Sequence, residues 1–306
     1  MDIATIRAQL PETALMSVAD LPFPKIATGK VREIFDLGDY LLIIATDRIS
    51  AFDVVMPNGV PGKGILLTQI SLWWFARAAS IVATHLVPNH AAALRDLLGA
   101  AYADFAPRSM LVRKLKALPV EAIARGYLAG SAWKEYQRSH AIVGHPLPAN
   151  LLENSRLPSP LFTPSTKTAL GHDENITEAQ CAEILGRDTF DFVKNTSLAL
   201  YEMGARTAAK VGLILADTKF EFGTDATGAI HLIDEVLTPD SSRYWPLASH
   251  APGQAQPSFD KQFVRDWLET LSWNKKPPAP LLPPDVITRV QELYLVALER
   301  LFAIPD

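Results

Sequence analysis

Between Gly212 and Val236 the chain reads as a β-hairpin whose strands carry charge where an ordinary core strand would not. Two strand-like runs, Gly212–Phe222 and Ala229–Val236, are joined by the turn-rich stretch Gly223–Gly228. In Asp217-Thr218-Lys219-Phe220-Glu221-Phe222 the period of two puts Asp217, Lys219 and Glu221 on one face and turns Phe220 and Phe222 to the other. Across the turn, Leu232-Ile233-Asp234-Glu235 sets acids into an otherwise apolar strand. Burying such acids unpaired is expensive. A divalent cation shared by Glu221 and Asp234 would remove the cost, with Lys219 balancing charge or holding phosphate. Hard oxygen donors of this kind suit Mg²⁺. A solvated strand face with cross-strand ion pairs accounts for the same residues equally well.

Around this hairpin the chain suggests an α+β protein. Lys25–Thr28, Lys30–Phe35 and Tyr40–Ala45 are short β-rich runs broken by Gly29 and by Leu37-Gly38-Asp39, as in an antiparallel meander. Leu66–Ala83 reads as a helix, and Met110–Leu115 and Val120–Arg125 as strands on either side of Leu118-Pro119. That proline is the expected lobe boundary, dividing residues 1–118 from 119–306. Ser131–His140 reads as a helix, and His145 to Thr166, with five prolines, as a long irregular stretch. Thr177-Glu178-Ala179-Gln180 resembles a capping box, and a helix is predicted over about Thr189–Lys210. Helical spacing returns in Phe263, Val264, Trp267, Leu268 and Leu271, and in Val286, Val290, Leu293, Ala297 and Leu301.

Other polar clusters could carry chemistry. In Thr28-Gly29-Lys30-Val31-Arg32-Glu33 a glycine turn lets backbone N–H groups approach phosphate, and Lys30 and Arg32 share a face. A plain turn with surface charges is the alternative. Arg125 precedes a glycine-bearing run into a helix start at Ser131, where free helical N–H groups could receive an anion. Ser131 alone could equally be an N-cap. Asp47 and Ser50 lie in a turn-like stretch open to local hydrogen bonding. Lys167, His172 and Asp173 fall within Ser165-Thr166-Lys167-Thr168 and Gly171-His172-Asp173-Glu174-Asn175, polar and glycine-containing.

With 306 residues the chain is long for one core, so two lobes are expected. The net charge of −4 argues against a general nucleic-acid binder and leaves anionic substrates to local basic clusters. A single cysteine, Cys181, cannot form an internal disulfide, and no Cys/His cluster suggests zinc. The N-terminus lacks a signal-peptide pattern, and no apolar run approaches the ~20 residues that span a bilayer. A cytoplasmic protein is the expectation.

Taken in order, the segments GKVREIFDL, ATDRISAFDVVMPNGVPGKG, EAIARGYLAGSAWKEY, PSTKTALGHDENIT, ADTKFEFG and LIDEVLTPDSSRYW resemble the phosphoribosylaminoimidazole-succinocarboxamide synthase (SAICAR synthetase) family. They run from Gly29 to Trp245. The resemblance implies a β-rich N-terminal lobe and a larger α+β lobe with ATP in the cleft between them, an arrangement like that of ATP-grasp enzymes and kinases. It implies a monomer that joins L-aspartate to carboxyaminoimidazole ribonucleotide in purine synthesis, through an acyl phosphate made from ATP. Carried onto this chain, it gives Gly29, Lys30 and Arg32 to the ATP phosphates, Glu221 and Asp234 to Mg²⁺, and Lys219 and Glu221 to the nucleotide. Arg125, Ser131 and Arg243 would hold the ribose 5′-phosphate. Asp47, Ser50, Lys167, His172 and Asp173 would line the imidazole and aspartate pocket, with Lys219, Lys167, His172 and Asp173 nearest the chemistry. A small-molecule phosphotransferase using the same ATP cleft is the rival enzyme, and a non-catalytic nucleotide-binding protein the rival of another class.

Overall fold

The β-rich runs near the N-terminus do form a meander. In a computed structural model, which describes every residue except Asp20, 168–173, Asp260 and Asp306, the protein is α+β and divides into two compact units. The first comprises Met1–Trp73, His85–Lys114 and Phe259–Asp306, and the second Trp74–Thr84 and Leu115–Ser258.

After a short helix α1 (Ile3–Ala8), strands β1 (Lys25–Thr28), β2 (Arg32–Asp36) and β3 (Tyr40–Ala45) pair antiparallel in sequence. A small hairpin of β4 (Ser50–Ala51) and β5 (Val54–Val55) follows. Its turn residues Phe52 and Asp53 both have positive φ. Helix α2 (Lys63–Ala78) is joined by α3 (His90–Leu98) and α4 (Tyr102–Phe105), and β6 (Ser109–Arg113) closes the sheet beside β3. Alternation decides which side chains go inside: Phe35, Leu42, Ile44 and Leu111 bury one face of the sheet against Leu94 and Leu98 of α3.

The second unit is built around one long strand. Strand β7 (Lys116–Ala117) and β8 (Val120–Tyr127) lead to α5 (Ser131–Ser139) and a small hairpin of β9 (Ala141–Ile142) and β10 (His145–Pro146). Then come β11 (Arg156–Phe162), β12 (Ser165–Thr166), α6 (Glu178–Leu185) and α7 (Arg187–Ala209). The capping box is present: the Thr177 hydroxyl accepts from the Gln180 N–H, and the Gln180 side chain accepts from the Thr177 N–H. Strand β13 (Leu213–Thr224) pairs with β8 and β7, and also with β14 (Ile230–Ile233) and β15 (Ser242–Pro246). Helix α7 covers one face of this sheet, the face that Phe220 and Phe222 bury. Gly126 of β8 is required there, because a Cβ would sit 1.8 Å from the Tyr201 hydroxyl of α7, which donates to Leu215 O at 2.8 Å.

Two expectations change. The stretch 145–166 is not simply irregular: Arg156–Phe162 is a strand whose Arg156 pairs with Tyr127 and Leu161 with Arg125. Pro158 and Pro160 are tolerated because β11 lies at the edge of the sheet and its register shifts between Arg156 and Leu161, so no ladder donor is needed there. The C-terminal segment, expected with the second lobe, belongs to the first unit. Its helices α8 (Gln262–Glu269) and α9 (Pro284–Phe302) are held there by several ties. Asn58 exchanges two hydrogen bonds of 2.9 Å with the Leu282 backbone, Gln291 donates to Pro61 O, and Trp73 stacks on Phe302. Among the described residues no helix is long and apolar enough to cross a membrane.

Candidate active site

The open face of the β13 sheet carries the charge that alternation places there. Asp217 faces Arg125 of β8 on one side and Arg243 of β15 on the other, so three strands set one acid between two arginines. Asp217 Oδ2 accepts from Arg125 Nη1 at 2.7 Å and from Arg243 Nη1 at 2.5 Å. Arg125 also donates through Nε to Thr163 Oγ1 at 2.9 Å and through Nη2 to Ser131 Oγ at 3.4 Å. Burial lowers the Arg125 pKa from its ordinary value, and Asp217 works against that shift. Two guanidiniums thus converge on one carboxylate beside the N-terminus of α5, where the first N–H groups have no helical acceptor, and Glu135 is a further acid that acts on Arg125.

Gly130 makes the corner possible. It precedes Ser131 at φ +60°, and a Cβ would lie 2.5 Å from Arg243 Nη2. Gly130→Ala is therefore expected to cost about 1–3 kcal/mol through backbone strain, and to push the Arg243 guanidinium aside. Thermal unfolding and phosphate-ligand titration check this: a normal melting temperature with unchanged affinity would show that the corner tolerates a methyl group.

Further along β13 the same face holds a cluster of two lysines and two acids. Lys219 Nζ donates to Glu121 Oε1 at 2.5 Å and to Glu221 Oε1 at 3.2 Å. Lys167 donates to the second oxygen of Glu221, and Ser165 Oγ donates to Glu121 Oε2 at 3.2 Å. Burial disfavours the Lys219 ammonium, but Glu221 and Glu121 outweigh it and hold its pKa above the ordinary lysine value. Burial likewise works against the Glu221 carboxylate, and Lys219 and Lys167 overcome it, leaving a pKa of about 2. Both groups therefore stay ionised at neutral pH.

Asp234 follows Ile233, the β14 residue paired with Glu221, and lies just beyond the strand in the left-handed region at φ +68°. Glu221 and Asp234 thus flank the end of the hairpin and offer hard oxygen donors. Among the described residues no group of three or more His, Cys, Asp or Glu could cage an ion alone. A divalent cation here would complete its shell with phosphate oxygens and water, as Mg²⁺ commonly does.

In the first unit the Gly29–Arg32 turn links β1 and β2, and the Lys30 ammonium pairs with Asp53 in the β4–β5 turn. Beneath it lies a buried ion pair, Arg48 Nη1 to Glu33 Oε1 at 2.7 Å. Asp47 is a different matter from what the sequence suggested. Its carboxylate is 0% exposed and accepts from Leu15 N and Gly64 N at 2.8 Å and from Arg108 Nη1 at 2.9 Å. It braces the chain and is not available to line a substrate pocket. Ser50 pairs with Val55 in β4 and is half-buried. His172 and Asp173 lie outside the described residues.

The sequence reading omitted Glu121 and Arg48 from the site. Glu121 shares strand parity with Arg125, and that spacing was the available signal. Nothing local to Arg48 announces its five partners.

A family model described as SAICAR synthetase matches residues 25–280. A phosphoribosylaminoimidazole-succinocarboxamide synthase of Thioalkalivibrio sulfidiphilus is 53% identical over 285 residues, covering 91% of this chain and 94% of that protein. Its counterpart in Methylobacillus flagellatus is 50% identical over 298 residues, covering 96% and 99%. The solved structure of the Saccharomyces cerevisiae SAICAR synthase in complex with SAICAR superposes with a TM-score of 0.85 at 42% identity, covering 95% of this chain and 99% of that one.

Proposed function

The chain belongs to the SAICAR synthetase family and is an ATP-dependent amide-forming ligase of purine biosynthesis, and from that premise we propose how its residues divide the work. The substrates are ATP, L-aspartate and carboxyaminoimidazole ribonucleotide. A carboxylate is a poor electrophile. Transfer of the γ-phosphate to a carboxylate oxygen gives an acyl phosphate and ADP. The aspartate amine then attacks the acyl carbon, phosphate leaves, and the amine proton is lost.

Arg125, Arg243 and Ser131 hold the ribose 5′-phosphate. The observation that carries this reading is the convergence of both guanidiniums on Asp217 beside the start of α5. Bidentate, charge-assisted contacts suit phosphate better than a point charge does. Lys219 and Lys167 neutralise phosphoryl oxygens at the other end of the face, and Glu121 keeps the Lys219 ammonium charged and aimed. Glu221 and Asp234 are the residues that would hold Mg²⁺, which supplies further neutralisation of phosphoryl charge when bound. In the first unit Gly29, Lys30 and Arg32 cover ATP phosphates. Ser50, His172 and Asp173 remain candidates for the aspartate pocket, and a cytoplasmic monomer is part of the same reading.

The test is product analysis. Incubation with the three substrates should yield the succinocarboxamide with one ADP and one inorganic phosphate per amide formed. AMP and pyrophosphate would instead require an acyl adenylate, and a stable phosphorylated product without amide would mark a phosphotransferase. Arg243→Ala should raise the KM for the ribonucleotide by about 10- to 100-fold, from the loss of one charge-assisted contact, with a much smaller change for ATP. If the ATP KM rises more, this arginine serves the other phosphate.

A further inference from the structure

We propose that Arg48 is a positioning residue that turns the Lys30 and Val31 amides outward to form a phosphate-receiving nest. The inference rests on the reading that the Gly29–Arg32 turn covers ATP phosphates. It adds a cause for the turn's shape, outside the residues assigned to ligand contact.

All five N–H donors of Arg48 have acceptors. Nη2 donates to Gly29 O at 2.9 Å and Arg32 O at 3.3 Å, and Nε to Lys30 O at 3.0 Å. Nη1 donates to Met16 O at 2.6 Å and Glu33 Oε1 at 2.7 Å. Three carbonyls of one short turn are therefore drawn to a single guanidinium.

A trans peptide is planar, and its C=O and N–H point in opposite directions. With Gly29 O and Lys30 O aimed at Arg48, the N–H groups of Lys30 and Val31 must point away from it. Among the described residues neither amide donates to a protein acceptor, whereas Gly29 N–H is spent on Arg32 O at 2.8 Å. The next carbonyl, Val31 O, is held by Thr46 through its N–H at 2.9 Å and its hydroxyl at 2.8 Å. Successive unspent amides in a turn form a concavity that receives anions.

The pair with Glu33 explains how Arg48 can be buried. Glu33 also accepts from Thr28 Oγ1 at 2.8 Å and meets Lys25 Nζ at 3.1 Å, so its charge is matched on several sides. Lysine in place of Arg48 could keep the ion pair but could not reach three carbonyls with one planar group.

The experiment compares wild type with Arg48→Lys, using the Mg²⁺ complex of AMP-PNP as probe. In wild type, AMP-PNP should slow hydrogen exchange of the Lys30 and Val31 amides. In Arg48→Lys, AMP-PNP affinity should fall about 10-fold, while affinity for carboxyaminoimidazole ribonucleotide stays as in wild type. A merely structural role would weaken both ligands together. Equal AMP-PNP affinity in the variant, with the wild-type amides protected, overturns the role of Arg48 and leaves the reading of the turn intact. Unprotected amides in wild type overturn the reading and the inference with it. Should Arg48→Lys fail to fold, the double variant Arg48→Gln/Glu33→Gln, which removes the three carbonyl contacts of the guanidinium together with its buried partner charge, takes its place, and the same two titrations decide.

Discussion

Glu221→Gln is expected to lower kcat by about 1,000-fold, since loss of charge neutralisation at a transferring phosphoryl group is worth several kcal/mol. The amide keeps the shape of the side chain but removes the charge that two lysines share, and with it the hard oxygen donor proposed to hold Mg²⁺ together with Asp234. Asp234→Asn should act in the same direction. A second signature separates this from plain misfolding. The Glu221 carboxyl is held at about 2 against an ordinary 4.5, so its ionisation stabilises the fold above pH 4.5. That contribution is lost as pH falls from 4.5 through about 2. In Glu221→Gln this acid-linked component disappears, and urea unfolding should depend less on pH across that window. Near-normal turnover at saturating Mg²⁺ would show that Glu221 is not part of the phosphoryl machinery.

Asp217→Asn is expected to cost about 3–5 kcal/mol of stability, the usual consequence of removing one partner from a buried ion pair. Here the loss puts a neutral amide in place of the carboxylate that both Arg125 and Arg243 contact. The compensation is informative. A phosphate bound between the arginines would supply the missing charge, so carboxyaminoimidazole ribonucleotide should raise the melting temperature more in the variant than in wild type. Differential scanning calorimetry with and without the nucleotide measures both effects. A variant as stable as wild type without ligand would mean that Asp217 is not what restrains the arginine pair.

The alternation at 217–222 was legible because a strand has only two faces, and one of them carried two phenylalanines. The meander from Lys25 to Ala45 and the capping box at Thr177 were legible for equally local reasons. What escaped depends on register, which no single segment contains. That Lys219 has Glu121 as well as Glu221 follows from β8 lying beside β13 with Lys219 opposite Ile123. Strand β15 was not marked as a strand, although it completes the row Arg125–Asp217–Arg243. Prolines hid β11, because an edge position forgives them and composition cannot reveal an edge. Asp47 misled for the opposite reason: a polar residue in a turn-like motif can be fully occupied by the backbone around it. The assignment of the last 48 residues to the first unit turned on ties such as Asn58 to Leu282, far apart in sequence.

One strand, β13, carries both the arginine-clamping acid and the lysine-paired acid, four residues apart. At a strand rise of 3.2–3.4 Å per residue, Asp217 and Glu221 are about 13 Å apart along it. The strand is bonded to neighbours on both sides, so this spacing is that of a rigid ruler and not of a hinge. A ligand anchored by a phosphate at one mark presents a carboxyl group at the other only if its own length fits. Analogues that insert or remove an atom between the sugar phosphate and the carboxylate should bind at one mark and miss the other, acting as inhibitors that are not consumed.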